Sequence, residues 1–220
     1  MSKVTKKILG SARGRVGDVV FRKFRVATVA SAYQPTPRDP KTNAQQLVRT
    51  RFGALRALAV SFAPIATIGF GTATKGTMLT PRNLFVKRNW KNVTASEPGT
   101  AVVDYSELTV AEGSLPSVAF KTPHFDNPNE VEVLWDDVAT LGLDAKVYVF
   151  AYCQDKGFGI LSHYVTAGSG TVTLEVPASW SGLRVELYGV TIWDAADNVN
   201  LGYTKGQTAP SAYIGYGTIS

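Results

Sequence analysis

The chain has 220 residues, of which 45% are hydrophobic and 18% charged, with a net charge of +6. That is the composition of an ordinary folded, soluble protein with a substantial core, built as one large domain or two small ones. One cysteine and two histidines exclude an intramolecular disulfide and a closed Cys/His zinc site.

The charge is unevenly spread. Residues 1–91 hold 18 of the 23 Lys and Arg against Asp18 and Asp39 alone, a net +16, whereas residues 92–220 hold five bases and 15 acids, a net −10. Such polarity suits a half that faces a polyanion, or head-to-tail contact between a basic face and an acidic one. Two separately solvated surfaces would give the same totals. The opening MSKVTKKILG lacks the apolar core of a signal peptide and no stretch approaches a membrane span, which points to a cytoplasmic origin.

Residues 1–9 read as a short basic lead, mobile unless a partner holds it. Gly10, Gly14 and Gly17 then space the run GSARGRVG. No Gly-Lys-Ser/Thr follows, so it is not a Walker loop. No strand precedes it and no helix follows, so it is not a dinucleotide fingerprint. The glycines are expected to allow a positive-φ turn or a close backbone approach, with a phosphate cradle as the alternative. DVVFRKFRVATV, residues 18–29, predicts an edge strand or hairpin arm, or a strand lying against another subunit. Val19, Phe21, Lys23 and Arg25 share one side, and Val20, Arg22, Phe24 and Val26 the other. Arg22, Lys23 and Arg25 either block unwanted edge pairing or contact phosphates. Pro35, Pro37 and Pro40 make the next segment a stiff connector.

A helix is predicted from Asn43 to about Phe62, with Thr42 and Gln45 as a capping box and Pro64 as its stop. Val48, Phe52, Leu55, Ala59 and Phe62 form its apolar face. Arg49 and Arg56, seven apart, project together, and Arg51 lies on another side. Residues 65–80 read as loop. Thr80-Pro81 starts a second helix, in which Leu84 and Phe85 dock, Lys87, Arg88 and Lys91 stay wet, and Trp90 packs under the first helix. Glu97-Pro98-Gly99 is a turn, and the domain boundary is placed near 92–100, where the charge changes sign.

Beyond it the pattern has period two. Strands are predicted at 101–105, 107–110, 117–121, 130–135, 146–153, 158–165, 171–176, 184–193 and 199–204, with a last one near 211–218. Val131, Val133 and Trp135 face one way, and Val185, Leu187, Gly189, Thr191 and Trp193 likewise. The reading is therefore α+β and mostly β. Residues 1–96 form a basic N-terminal hairpin and helices, and residues 97–220 an acidic antiparallel β-sandwich of immunoglobulin or fibronectin type.

No catalytic constellation is present, so neither an enzyme nor a cofactor is expected. Cys153 reads as a core residue. His124 is a loop residue within reach of Asp126, and His163 lies on a strand surface. Asp136, Asp137 and Asp144 lack the glycine and spaced oxygens of a calcium loop. Asp194 to Asp197 reads as turn chemistry.

In order along the chain, GSARGRVGDVVFRKFR, PRDPKTNAQQLVRTRF, NLFVKRNW, DYSELTVAEGSLP, VPASWSGLRVELYGV and SAYIGYG resemble a family of uncharacterised proteins of Bacteroidota and their phages and prophages. The resemblance spans nearly the whole chain. It implies a basic N-terminal region followed by a β-sandwich, with no catalytic residues to carry over. Phe21-Arg22-Lys23 stands where many relatives have a tryptophan- or tyrosine-rich strand.

The expected function is that of a non-enzymatic virion component from the head, neck or tail of a phage, assembled in the bacterial cytoplasm. Its partners would be its own copies and other virion proteins, with neither a membrane nor a small-molecule substrate. The alternative is a nucleic-acid-binding protein. Arg13, Arg15, Arg22, Lys23, Arg25, Arg49, Arg56, Lys87 and Arg88 are the candidate contacts to a partner or to nucleic acid, and Phe21 and Phe24 could add stacking. A third class, a host-surface or carbohydrate binder, rests on Trp180, Trp193, Tyr203 and Tyr213.

Overall fold

The computed structural model describes residues 2–4, 13–24, 27–36, 39–136, 145–193 and 207–220. The chain is α+β and mostly strand, arranged in several antiparallel sheets. Packing divides it into two compact units, Met1–Thr42 with Gly76–Met78, and Asn43–Lys75 with Leu79–Ser220.

The first unit is a four-stranded antiparallel sheet of β1 (Ser2–Val4), β2 (Gly14–Val16), β3 (Val19–Phe24) and β4 (Ala27–Ala32), in the order β1-β4-β3-β2. The expected hairpin arm is β3. Val16 pairs with Val19 across a two-residue turn in which Gly17 has φ +57, and Gly14 also has a positive φ, as the glycine spacing predicted. Residues 2–4 are not a free lead but a strand paired to β4. Gly10, Arg25 and Val26 lie outside the described residues. Cations and apolar residues alternate on both faces of β3, so neither face can close a dry layer. Among the side chains described in this unit none is buried, and Val16 is 70% exposed.

The second unit begins with α1 (Asn43–Ser61), where the helix was predicted. Leu55, Leu58 and Ala59 are buried, but Val48 and Phe52 are more than half exposed. The apolar stripe simply continues N-terminally beyond the core that covers its second half. Residues 65–80 are not all loop. After a bend of 80°, α2 (Ala63–Gly69) and α3 (Gly71–Thr74) follow. α1 ends at Ser61, as expected ahead of Pro64, and Pro64 sits in the first turn of α2, where its missing N–H costs nothing. Ile65, Ala66 and Phe70 are buried, and the Thr67 and Thr74 hydroxyls donate back to Ala63 O and Phe70 O at 2.7 and 2.9 Å. No single described helix is long and apolar enough to cross a membrane.

Two helical glycines differ in sign. A Cβ on Gly69 would lie 2.3 Å from Val110 O, whereas one on Gly53 meets nothing within 4 Å. Gly69→Ala is expected to destabilise by about 1–3 kcal/mol despite its better helix propensity. Gly53→Ala is expected to stabilise by about 0.5–1 kcal/mol. Urea midpoints of the two variants check both.

Next comes α4 (Pro81–Arg88), capped by Thr80 Oγ1 accepting from Asn83 N at 3.2 Å. A hairpin of β5 (Val93–Glu97) and β6 (Thr100–Val103) follows, turning at Gly99. Residues 107–110 form no strand. Leu108 and Val110 are buried, and their neighbours' backbone groups are satisfied by side chains instead. Asn89 accepts from Thr109 N at 2.7 Å and donates to Thr109 O at 2.8 Å, and Ser211 Oγ accepts from Val110 N at 3.1 Å.

The remaining strands are β7 (Ala119–Phe120), β8 (Glu130–Asp136), β9 (Lys146–Cys153), β10 (Phe158–Leu161), β11 (Val165–Thr166), β12 (Thr171–Glu175), β13 (Arg184–Trp193), β14 (Gln207–Thr208) and β15 (Ala212–Thr218). They build a six-stranded sheet around β9 and β13, with β15 on β13, and a three-stranded sheet β12-β8-β7. The predicted strand at 199–204 lies outside the described residues. Val131, Val133 and Trp135 of the smaller sheet share one core with Val147, Val149, Val185 and Leu187 of the larger. The opposite face of the larger sheet carries Phe150, Tyr152, Tyr188 and Val190 against Leu55, Phe62, Ile65 and Phe85 of the helices. β13 is therefore buried on both faces, where one apolar face was expected. The helices belong with the sheets, so packing does not divide at residue 96 as the charge pattern suggested. Cys153 is buried, as expected, and so are Trp180 and Trp193, which removes them as surface aromatics.

Candidate functional site

The helix-facing side of β13 should be uniformly apolar, yet Glu186 occupies it with no exposed surface. Burying a carboxylate is costly unless donors replace its water. Gln154 Nε2 and Arg184 Nε donate to Oε1 at 2.6 and 2.7 Å, and the Tyr213 hydroxyl donates to Oε2 at 2.5 Å. Arg184 is half exposed, and its guanidinium lies 3.8 Å from the centre of the Tyr216 ring. These groups come from β9's end, β13 and β15. Their outer surfaces, with Lys91, Asp104 and Tyr105, line an open cleft of about 780 Å³ within the second unit.

Behind the cleft the tyrosines form a chain. Tyr188 donates to Tyr105 O at 2.8 Å, and Tyr105 stacks on Tyr152 with ring centres 5.8 Å apart. Burial pushes the hydroxyls of Tyr105, Tyr152, Tyr188 and Tyr213 upward from the ordinary tyrosine value, and the Glu186 charge adds to this at Tyr188 and Tyr213. The site therefore holds neutral phenols and a fixed guanidinium. It offers hydrogen bonds and flat rings.

The basic residues singled out in the sequence fall in both units. Arg13 is exposed just before β2. Arg15 donates to Gly17 O at 2.8 Å and places its guanidinium 3.6 Å over the Tyr33 ring. Arg22 and Lys23 are exposed on opposite faces of β3, and Arg25 lies outside the described residues. Arg49 and Arg56 are exposed along one side of α1, and Lys87 is exposed on α4. Arg88 is engaged twice by Glu112, including an Nε–Oε2 bond of 2.9 Å, and its side chain stays 45% exposed. Arg51, set apart from Arg49 and Arg56, covers the Trp90 ring and donates to Trp90 O. A model for a family of unknown function, DUF6266, matches residues 11–205. The chain belongs to that family. No curated protein matches the chain.

Other candidates in this DUF6266 member are dispersed. His124 pairs in an isolated bridge with Glu132, its Nδ1 3.7 Å from the carboxylate, rather than with Asp126. His163 is exposed between β10 and β11 rather than on a strand. Among the described residues no three His, Cys, Asp or Glu side chains are grouped to hold a metal. Asp137, Asp144, the segment from Asp194 to Asp197, and Tyr203 lie outside the described residues.

The raised tyrosines give a pH dependence. In the unfolded chain these phenols ionise near pH 10, while in the folded chain they hold their protons to higher pH. The native state then binds more protons, so stability is full below about pH 10 and falls as pH rises above it. Urea midpoints are expected to be flat from about pH 7 to 9 and to drop steeply by about pH 11, with tyrosinate absorbance gained as the chain unfolds. A midpoint unchanged at about pH 11 contradicts this.

Proposed function

We propose that this protein is a non-enzymatic building block that associates with its own copies through the basic N-terminal sheet. One observation carries the reading: the first unit is a four-stranded sheet in which none of the described side chains is buried. A lone sheet with apolar and basic side chains on both faces gains stability by packing against something else. The second unit offers a matching surface. On the outer face of β8 and β12, Glu130 and Glu175 are directly opposite each other, and further along Asp136 pairs with Lys121 at 2.7 Å. Like charges opposed across a ladder repel, and cations from a neighbour relieve that repulsion.

The resemblance to proteins of Bacteroidota and their phages supplies the setting, a virion part from head, neck or tail assembled in the bacterial cytoplasm. Within it, the two facing sheets of the second unit are read as an immunoglobulin- or fibronectin-like spacer. The test is the solution mass of the full chain against the 23.6 kDa monomer. Assemblies are expected at low salt, weakened at about 0.5 M salt and in an Arg15→Glu, Arg22→Glu, Lys23→Glu variant. A monomer at every salt concentration overturns the reading. A monomer that binds DNA with a steep salt dependence replaces it with phosphate contact through the same residues.

A further inference from the structure

The cleft over Glu186 is independent of that basic sheet, and its chemistry differs. Its charged lining is Lys91, Arg184 and Asp104, and Glu186, buried beneath and paired with Arg184, offsets the remaining positive charge. A cleft so balanced does not concentrate ions of either sign. What it presents is a set of fixed donors and acceptors beside tyrosine rings. Arg184 is held at Nε by Glu186, and its half-exposed side chain lines the cleft. Gln154 spends its amide N–H on Glu186, which leaves its carbonyl as an acceptor. Asp104 accepts from both the backbone and the hydroxyl of Ser106 through Oδ1, leaving Oδ2 open. The Tyr216 ring is braced on one face by the Arg184 guanidinium yet remains 59% exposed.

We propose that this cleft binds a neutral saccharide. Sugar hydroxyls donate and accept at once, which matches mixed, rigid partners better than a carboxylate or a phosphate would, and the C–H face of a pyranose lies flat on a braced tyrosine. The buried carboxylate fixes Arg184, Gln154 and Tyr213 before a ligand arrives, so little ordering remains to be done on binding. A volume of about 780 Å³ in an open cleft accommodates two or three sugar units of a longer chain.

The experiment is calorimetric titration of the full chain with neutral oligomers of glucose, galactose, mannose and N-acetylglucosamine, each at up to about 10 mM. At least one is expected to bind saturably, with an affinity that changes less than about twofold between 50 and 300 mM salt, since no net charge is neutralised. Tyr216→Ala, at an exposed position that leaves the thermal midpoint in place, is expected to weaken it at least about tenfold. Asp104→Ala is expected to weaken it as well, through loss of the open acceptor. Absence of saturable binding by every oligomer overturns the proposal. So does a steep salt dependence, which marks an anionic ligand, or an affinity that Tyr216→Ala leaves unchanged.

Discussion

Phe62→Ala is expected to remove about 3–5 kcal/mol of stability, a large share of what a domain of this size holds. Phe62 is fully buried where α1 gives way to α2, and its ring touches four others. The centres of Phe85, Phe150, Tyr152 and Tyr188 lie 5.5, 5.0, 4.8 and 5.2 Å away, at tilted or edge-on angles. Alanine would lose the transfer energy of the ring, four aromatic contacts and the filling of the space between helix and sheet. The neighbours cannot collapse into the gap, because Phe150, Tyr152 and Tyr188 are pinned to strands β9 and β13, whose other face is packed as well. Phe62→Leu keeps much of the volume and is expected to cost about 1–2 kcal/mol. Urea unfolding of the full chain decides it, through a lowered midpoint at unchanged slope. Equal midpoints for Phe62→Ala and the natural chain would mean that helices and sheet do not depend on one another.

That joint core marks the limit of what the sequence discloses. Local signals were legible wherever the physics is local. The helix of α1, the Thr80-Pro81 start of α4, the Gly17 turn and the strands β8, β9, β12 and β13 all stand. The helical turns of α2 and α3 were hidden by a Gly- and Thr-rich composition, whose unfavourable propensity is overridden by burial of Ile65, Ala66 and Phe70. Residues 107–110 looked like a strand because Leu108 and Val110 alternate, but Asn89 supplies their segment with side-chain bonds in place of a ladder. The change of charge sign near residue 96 describes surface, and surface charge carries no information about where a core closes. The packing follows the apolar faces of α1, α2 and α4, which seek the sheet beyond that point. The role of Glu186 is hidden for the same reason. Period two places it opposite Val185 and Leu187, a position that is wet in a one-faced strand. Only the helices on that side make it a buried charge, and the one legible trace was a lone acid inside RVELYGVTIW.

Glu186→Ala is expected to cost about 2–4 kcal/mol, because it leaves donors behind rather than merely deleting a side chain. Three groups lose their acceptor, and their fates differ. Arg184 is half exposed and turns to water, so its share is small. Gln154 and the Tyr213 hydroxyl are partly buried and recover less. The ordering of variants follows. Arg184→Ala removes a partner that solvent can replace, since the carboxylate keeps Gln154 and Tyr213, and is expected to cost about 1 kcal/mol. Glu186→Gln keeps the shape and one carbonyl acceptor but loses the charge that holds the guanidinium, and falls between the two. In the Arg184→Ala, Glu186→Ala double variant the coupling between the two is expected to be only about 0.5–1 kcal/mol, well below the cost of Glu186→Ala alone. A coupling as large as that single cost would show that the ion pair, and not the uncharged donors, is what keeps the carboxylate in place. An unfolding midpoint for Glu186→Ala equal to that of the natural chain would show that water reaches position 186, and would take away the rigid floor on which the cleft's geometry stands.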